Sequence, residues 1–321
     1  MSKVCGMTSS RLDSSQDPVT LREVSLRDGL QILARTVPTE HKLQWLHAAY
    51  AAGLREIEVG SFVPARLMPQ LADTAELVQA AKRLPGLVTS VLVPNLKGAQ
   101  AAIDSQADAM LLPLSASHAH SLANLRRTPD QVVEDIARIR ELRDARGSNC
   151  RLEVGISTAF GCTLQGQVEE DEVLRLLQAA LNAGAEQVGL ADTVGYADPR
   201  QVQGLFERGR ALAGERLSCG HFHDTRGLGL ANVFAAWQTG VRRFDACVGG
   251  IGGCPHAPGA SGNVATEDVA YLMASMGVPT GLDFDALMAL RASVAEHWLP
   301  GETLHGNIWR AGLPKTLKEP A

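Results

Sequence analysis

No apolar run in this 321-residue sequence approaches the ~18 residues that a membrane-spanning helix requires. No excess of positive charge is present either. Thirty basic residues face 35 acidic ones, a net charge of −5, which excludes a general nucleic-acid binder but leaves room for a local basic patch facing a phosphorylated ligand. The six cysteines, Cys5, Cys150, Cys162, Cys219, Cys247 and Cys254, form no CxxC pair. A chain of this length needs no disulfide staples, so they read as reduced thiols of a cytoplasmic protein. Residues 1–18, MSKVCGMTSSRLDSSQDP, lack an apolar h-region and carry Asp13 and Asp17, which argues against a transit peptide; they are expected to form a disordered N-terminal tail. No strand candidate leads into a G-x-G-x-x-G or P-loop stretch, which counts against a doubly wound open sheet. There is no repeat beyond the βα period and no linker inside residues 20–280.

What is there is an alternation. Short apolar or β-branched runs at 21–26, 55–60, 89–94, 109–114, 151–157, 186–191, 217–223 and 244–250 read as strands. Amphipathic stretches lie between them, such as TEHKLQWLHAAYAAG (39–53), with Thr39 as the expected N-cap and a closing glycine. Residues 130–147 and 169–184 repeat that design. Eight βα units predict an α/β fold of the (β/α)8 TIM-barrel type over residues 19–280, with a C-terminal helical extension and tail at 281–321.

Chemistry in such barrels sits on the loops that follow the strands. Arg27 and Asp28 follow the first strand. Glu58 and Ser61 stand at the second, Asn95 after the third, and Asp192 and Thr193 after the sixth. His221-Phe222-His223 closes the seventh. Residues i and i+2 of a strand face one way, so both imidazoles can address one point. Asp28 can add a carboxylate oxygen and Asn263 an amide oxygen. Two nitrogens and two oxygens with open positions suit a catalytic Mg2+, Mn2+ or Zn2+ rather than a closed structural site. The alternative is a pair of histidines hydrogen-bonded inside the barrel. Arg27 can hold a carboxylate or stabilise an enolate oxygen, or pair with Glu58 or Asp192. The stretch GGIGGCPHAPGASGN (249–263) is either a flexible connector or a mobile loop that presents the Cys254 thiol.

LRDGLQ (26–31), EVGSFVPARLMPQLADT (58–74), PNLKG (94–98), ADTVG (191–195), HFHDTRGLGLAN (221–232) and GGCPHAPGASGNVATEDV (252–269) resemble 3-hydroxy-3-methylglutaryl-CoA lyase, of the DRE-TIM metallolyases. The likeness covers residues 20–275. It implies a divalent cation, Mg2+ or Mn2+ before Zn2+, on Asp28, His221, His223 and Asn263. It implies Arg27 as the residue that stabilises the enolate, Glu58 and Asp192 as supporting polar groups, and Cys254 as the catalytic thiol. It further implies an acyl-CoA as the substrate, no nucleic-acid or membrane partner, and a homodimer or higher homo-oligomer.

The sequence departs from the family pattern at three places. Ile32-Leu33-Ala34 stands after the RDGLQ motif where Asn-Glu, followed in some members by Lys, is usual, Glu153-Val154-Gly155 replaces Arg-Gly-Tyr ahead of Ser157, and SASHAH brings His118 and His120 where a glutamate and a phenylalanine are usual. Gln31, Ile32, Gly155 and Ser157 are therefore expected to line an altered acyl pocket that accepts a bulkier or more apolar leaving ketone. Lys97, Arg126 and Arg127 are candidates for the CoA phosphates, each weighed against a solvated surface charge. Cys219 and Cys247 read as core residues, and the role of Cys162 stays open. Two rival functions remain, a condensing synthase of the same superfamily and a barrel that binds without catalysing.

Overall fold

The computed structural model describes residues 17–253 and 262–315. Eight strands close into one parallel barrel in sequence order: β1 (Thr20–Glu23), β2 (Glu56–Ser61), β3 (Val88–Leu92), β4 (Ala109–Ser115), β5 (Arg151–Ser157), β6 (Gln187–Asp192), β7 (Leu217–Phe222) and β8 (Arg243–Ala246). The helices that return the chain are α1 (Thr39–Ala51), α2 (Thr74–Ala81), α3 (Leu96–Asp104), α4 (His118–Leu125), α5 (Pro129–Ala145), α6 (Glu170–Ala183), α7 (Pro199–Ala213), α8 (Gly229–Gln238) and α9 (Thr266–Ser275). In the C-terminal part α10 (Phe284–Ser293) and α11 (Ile308–Ala311) follow.

Local chemistry sets the boundaries. Thr128 caps α5 in a full capping box with Gln131, satisfying two backbone donors that a helix start leaves open. Gly184 ends α6 at φ 113°, a conformation that costs other residues more. At α1 the expected cap is displaced by one residue. Pro38 occupies the N-cap and Thr39 is the first helical residue, its hydroxyl donating to Asp73 Oδ2 at 2.8 Å.

The apolar core lies between barrel and helices. Leu152, Val154 and Ile156 of β5 point outward and are wholly buried, as are Leu77 and Val78 of α2 and Leu176 and Leu177 of α6. Phe160, Phe206 and Phe222 form a ring cluster with centroids 6.1 to 6.4 Å apart. Burying each such side chain contributes roughly 1.5–3 kcal/mol.

Inside the barrel the usual branched aliphatic filling gives way to charge. Arg22 of β1 donates to Asp245 of β8 at 2.7 and 3.0 Å and to Glu153 of β5 at 2.8 Å. Arg243 donates to the same Glu153 at 2.7 and 3.0 Å. All four residues are at least nine-tenths buried. This ionic floor separates the upper half of the barrel from its lower opening.

Candidate active site

Three short segments build the mouth. The first is a surprise of local structure. The predicted strand 21–26 stops at Glu23, and residues Ser25–Gly29 form one π-type turn. The amides of Arg27, Asp28 and Gly29 all approach the carbonyl of Val24, at 3.1, 2.7 and 3.4 Å. Such widened turns recur at functional sites because they re-aim side chains. Here the turn swings Arg27 and Asp28 over the barrel axis. The second segment is β7 with its continuation to His223. The third is Gly262–Ala265, which crosses the end of β7 through a bridge between His223 and Asn263.

These segments bring the four expected ligands together. Asp28, His221 and His223 offer one ligand atom each within 4.8 Å of one another. The two histidine Nε2 atoms are 3.1 Å apart. Asn263 Nδ2 donates to Asp28 Oδ2 at 2.6 Å, while its Oδ1 is buried without a hydrogen-bond partner among the described residues. An orphaned buried carbonyl oxygen costs free energy unless something meets it. A hard cation is met by this donor set, and the residues fit one. Burial, and then the charge of His221, push the His223 imidazole down to about 3, so its nitrogen carries a lone pair at neutral pH. Burial opposes ionisation of Asp28, but Arg27 and then the histidines hold its carboxyl below the usual range. Both states are those a metal ligand needs.

Arg27 is fixed by two acids. Its Nε donates to Glu58 Oε2 at 2.7 Å, and its Nη1 donates to Asp28. Burial works against the guanidinium charge, but Glu58 and Asp28 raise its pKa above the ordinary value. Glu58 thus acts on the arginine and does not reach the cavity wall. Asp192 is not brought to the centre. Its carboxylate accepts from the amides of Tyr196 and Ala197 at 2.8 and 3.1 Å and closes the loop after β6. The parity of β6 explains this: Gly189, Ala191 and Thr193 line the cavity, so Asp192 faces the other way. Burial raises its carboxyl to about 6.

The cavity below the centre measures about 710 Å3. Gln31, Gly155 and Ser157 line it as expected, and Gln31 Nε2 also donates to Asp28 Oδ1 at 2.7 Å. Ile32 does not; it is 41 % exposed, carried outward by the helical turn that follows the π-turn. At Gly155 an added Cβ would sit 3.6 Å from Leu111, ordinary contact, so real space replaces a side chain there. Cys254 lies outside the described residues. Of the candidate cations for CoA, Arg126 lines the cavity, Arg127 pairs with Asp135 at 3.1 Å, and Lys97 is not on the wall. Arg66, in the loop after β2, joins Arg126 at the rim.

Sequence reasoning missed Asp245. It accepts from His221 Nδ1 at 3.1 Å, which turns His221 Nε2 toward His223. Its only signal was an acidic residue inside an apolar strand. Arg22 was passed over and Glu153 noted only as a departure from the family pattern, since their partners sit on strands far away in the sequence. Cys219, read as core, is indeed buried, with Sγ 3.3 Å from Asp245 Oδ1. Cys247 and Cys162 are buried as well.

A closed parallel barrel with a carboxylate–imidazole centre at the C-terminal ends of its strands defines a (β/α)8-barrel enzyme with a candidate cation site. Comparison with known proteins narrows that class. Residues 18–294 match the HMGL-like family. The chain is 37 % identical, over 84 % of its length and 89 % of the relative's, to a 3-hydroxy-3-isohexenylglutaryl-CoA/hydroxy-methylglutaryl-CoA lyase of Pseudomonas aeruginosa. It is 36 % identical, over 92 % of its length and 95 % of the relative's, to an (R)-citramalyl-CoA lyase of Chloroflexus aurantiacus. Its fold superposes with a TM-score of 0.87 on an HMG-CoA lyase of Acenitobacter baumannii solved with coenzyme A and 3-methylmalate, at 39 % identity, covering 94 % and 97 % of the two chains. The chain belongs to the HMGL-like family and is a carbon–carbon lyase.

Proposed function

We propose that the chain cleaves a 3-hydroxy-3-methylglutaryl-CoA-like thioester into acetyl-CoA and a keto product such as acetoacetate. The observation that carries this reading is the convergence of Asp28, His221 and His223 at the head of a cavity large enough for an acyl chain. Asp28, His221, His223 and the unpartnered oxygen of Asn263 would hold a divalent cation, Mg2+ or Mn2+ before Zn2+. When bound, that cation supplies Lewis acidity toward the substrate's 3-hydroxyl and acyl oxygen.

The protein's own groups account for the rest. A base beside the substrate takes the 3-hydroxyl proton, the C2–C3 electrons move onto the acyl group as an enolate, and a ketone is left at C3. Arg27, held rigid by Glu58, places a permanent positive charge on the wall where the enolate oxygen develops. Cys254 then returns a proton to carbon; a thiol suits this, since its reference pKa of ~8.5 keeps it protonated at neutral pH. Asp245 fixes the tautomer of His221. Arg66 and Arg126 at the rim supply charge for the CoA phosphates.

The test is incubation of the purified protein with 3-hydroxy-3-methylglutaryl-CoA and Mg2+ or Mn2+, with product analysis. Acetyl-CoA and a keto acid support the reading. Release of free CoA thiol on adding acetyl-CoA and a 2-oxo acid would favour the condensing rival instead. Asp28→Ala should lose both metal and turnover, and Cys254→Ala should lose turnover while keeping its metal.

A second reading rests on Gly155. The open space beside Leu111, with Leu92 and Pro113 on the same wall, favours a C3 substituent larger than methyl. A series of 3-alkyl-3-hydroxyglutaryl-CoA thioesters separates the two readings by their kcat/KM.

A further inference from the structure

β4 and β5 pair in unbroken register from Ala109–Arg151 to Ser115–Ser157. At the last rung the two hydroxyls meet, Ser115 Oγ to Ser157 Oγ at 3.0 Å. Ser115 Oγ also lies 2.7 Å from His120 Nδ1. The first turn of α4 delivers that histidine, and Ser117 Oγ fixes the turn by accepting from the His120 amide at 3.1 Å. Ser115 is wholly buried and His120 is 3 % exposed, yet His120 and Ser157 both border the cavity. This polar row stands across the barrel from β8, which carries Asp245, and from β1, which leads into Asp28. None of the steps above uses it.

A hydroxyl–hydroxyl–imidazole chain has two consistent proton arrangements. If His120 Nδ1 accepts from Ser115, Ser115 accepts from Ser157 and the cavity meets only oxygen lone pairs. If Nδ1 donates, Ser115 donates in turn to Ser157, and the Ser157 O–H is aimed into the cavity. A ligand group that can only accept selects the second arrangement. A carboxylate is such a group. The inner arginines Arg22, Arg27 and Arg243 are already paired with Asp28, Glu58, Glu153 and Asp245, and the Ser157 hydroxyl on the β4–β5 wall is a donor that a further anionic arm can meet.

We propose that Ser157, aligned through Ser115 by His120, binds the terminal carboxylate of the acyl chain on the β4–β5 wall. Ser157 is then a specificity-determining residue and His120 a positioning residue. Gly155, two residues earlier on the same face, leaves the adjoining gap for the remaining substituent at C3. The inference rests on the acyl-CoA reading above.

The test compares binding of 3-hydroxyglutaryl-CoA and 3-hydroxybutyryl-CoA to the Mn2+-loaded protein by calorimetry; the two ligands differ by the carboxylate. The wild type should prefer the first by about 10- to 100-fold, the range for a hydrogen bond to a charged group. Ser157→Ala and His120→Phe should each shrink that preference about tenfold and leave 3-hydroxybutyryl-CoA affinity within about twofold. His120→Asn should keep the preference, because its side-chain amide nitrogen takes the place of Nδ1. A wild type without preference, or a preference that survives in both Ser157→Ala and His120→Phe, overturns the inference while the acyl-CoA reading stands. If neither thioester binds, that reading fails and this inference falls with it. Should His120→Phe not fold, Ser157→Ala decides, since its hydroxyl borders open space.

Discussion

Gly252 shows how little tolerance the centre has at the scale of one residue. It sits at φ 117°, and an added Cβ would lie 2.5 Å from Asn263 Nδ2 and 3.2 Å from Asp28 Oδ2. Any side chain there must displace two of the four proposed ligands. Gly252→Ala is expected to weaken Mn2+ affinity about tenfold or more by calorimetry, with far-ultraviolet circular dichroism unchanged; unaltered affinity would mean that neither ligand matters. The opposite is expected at Gly155, where the neighbouring Leu111 leaves room. Gly155→Tyr should fold, keep its metal, and lose turnover selectively for the larger 3-alkyl substrates. Equal losses across the series would remove the subsite. The ligands were readable because His221 and His223 share a strand face and Asp28 follows a strand end. Asp192 was not, because its direction depends on strand parity near a register shift between Val188 and Gly189 that no pattern in the chain announces.

At the scale of elements, the floor of the barrel couples β1, β5 and β8. Glu153 receives Arg22, Arg243 and Arg151, the last at 2.7 Å. Burial opposes its charge, but Arg243 and Arg22 outweigh that and bring its carboxyl from 4.5 to about 2. A depressed carboxylate stabilises the fold at pH above its unfolded value and loses that contribution as pH falls through the folded one. Glu153→Gln, which leaves two buried guanidinium groups short of a partner, is expected to cost about 3–5 kcal/mol at pH 7 in denaturant unfolding. The gap between wild type and variant should persist down to about pH 4.5 and close toward pH 2. A gap independent of pH would show that packing, not charge, holds the floor. β1 offers a second lesson at this scale. LREVSL has the composition of one strand, yet the π-turn ends it at Glu23, because Val24 O collects three amides and Glu23 turns back to accept from Ser25.

Across the whole molecule, the C-terminal segment is tied to the loop after β8. His305 N donates to Gly249 O at 2.7 Å, and Arg291 donates from Nε to Glu267 at 3.0 Å. The Asp268 carboxylate accepts from the amides of Asn307 and Ile308. Trp298 stacks on Trp45 of α1 with centroids 5.5 Å apart. Folding and cation binding should therefore be linked, since the ligands come from both ends of the chain. A cation at 100 times its Kd would add about 2.7 kcal/mol to unfolding stability. The expected measurement is a melting temperature that rises on adding Mn2+, returns with a chelator, and does not move in Asp28→Ala. A shift that persists in that variant would place the ion elsewhere.

The sequence by itself determined the eight βα units, their order, and which strand ends carry histidine, aspartate and arginine. Those follow from hydrophobic period and capping chemistry, which act over a few residues. Only closure of the barrel decided the rest. It handed His221 to Asp245, set Glu153 among three arginines, and joined Ser157 through Ser115 to His120. Each depends on which strands become neighbours across the axis, and that is a property of the assembled sheet rather than of any local run of residues.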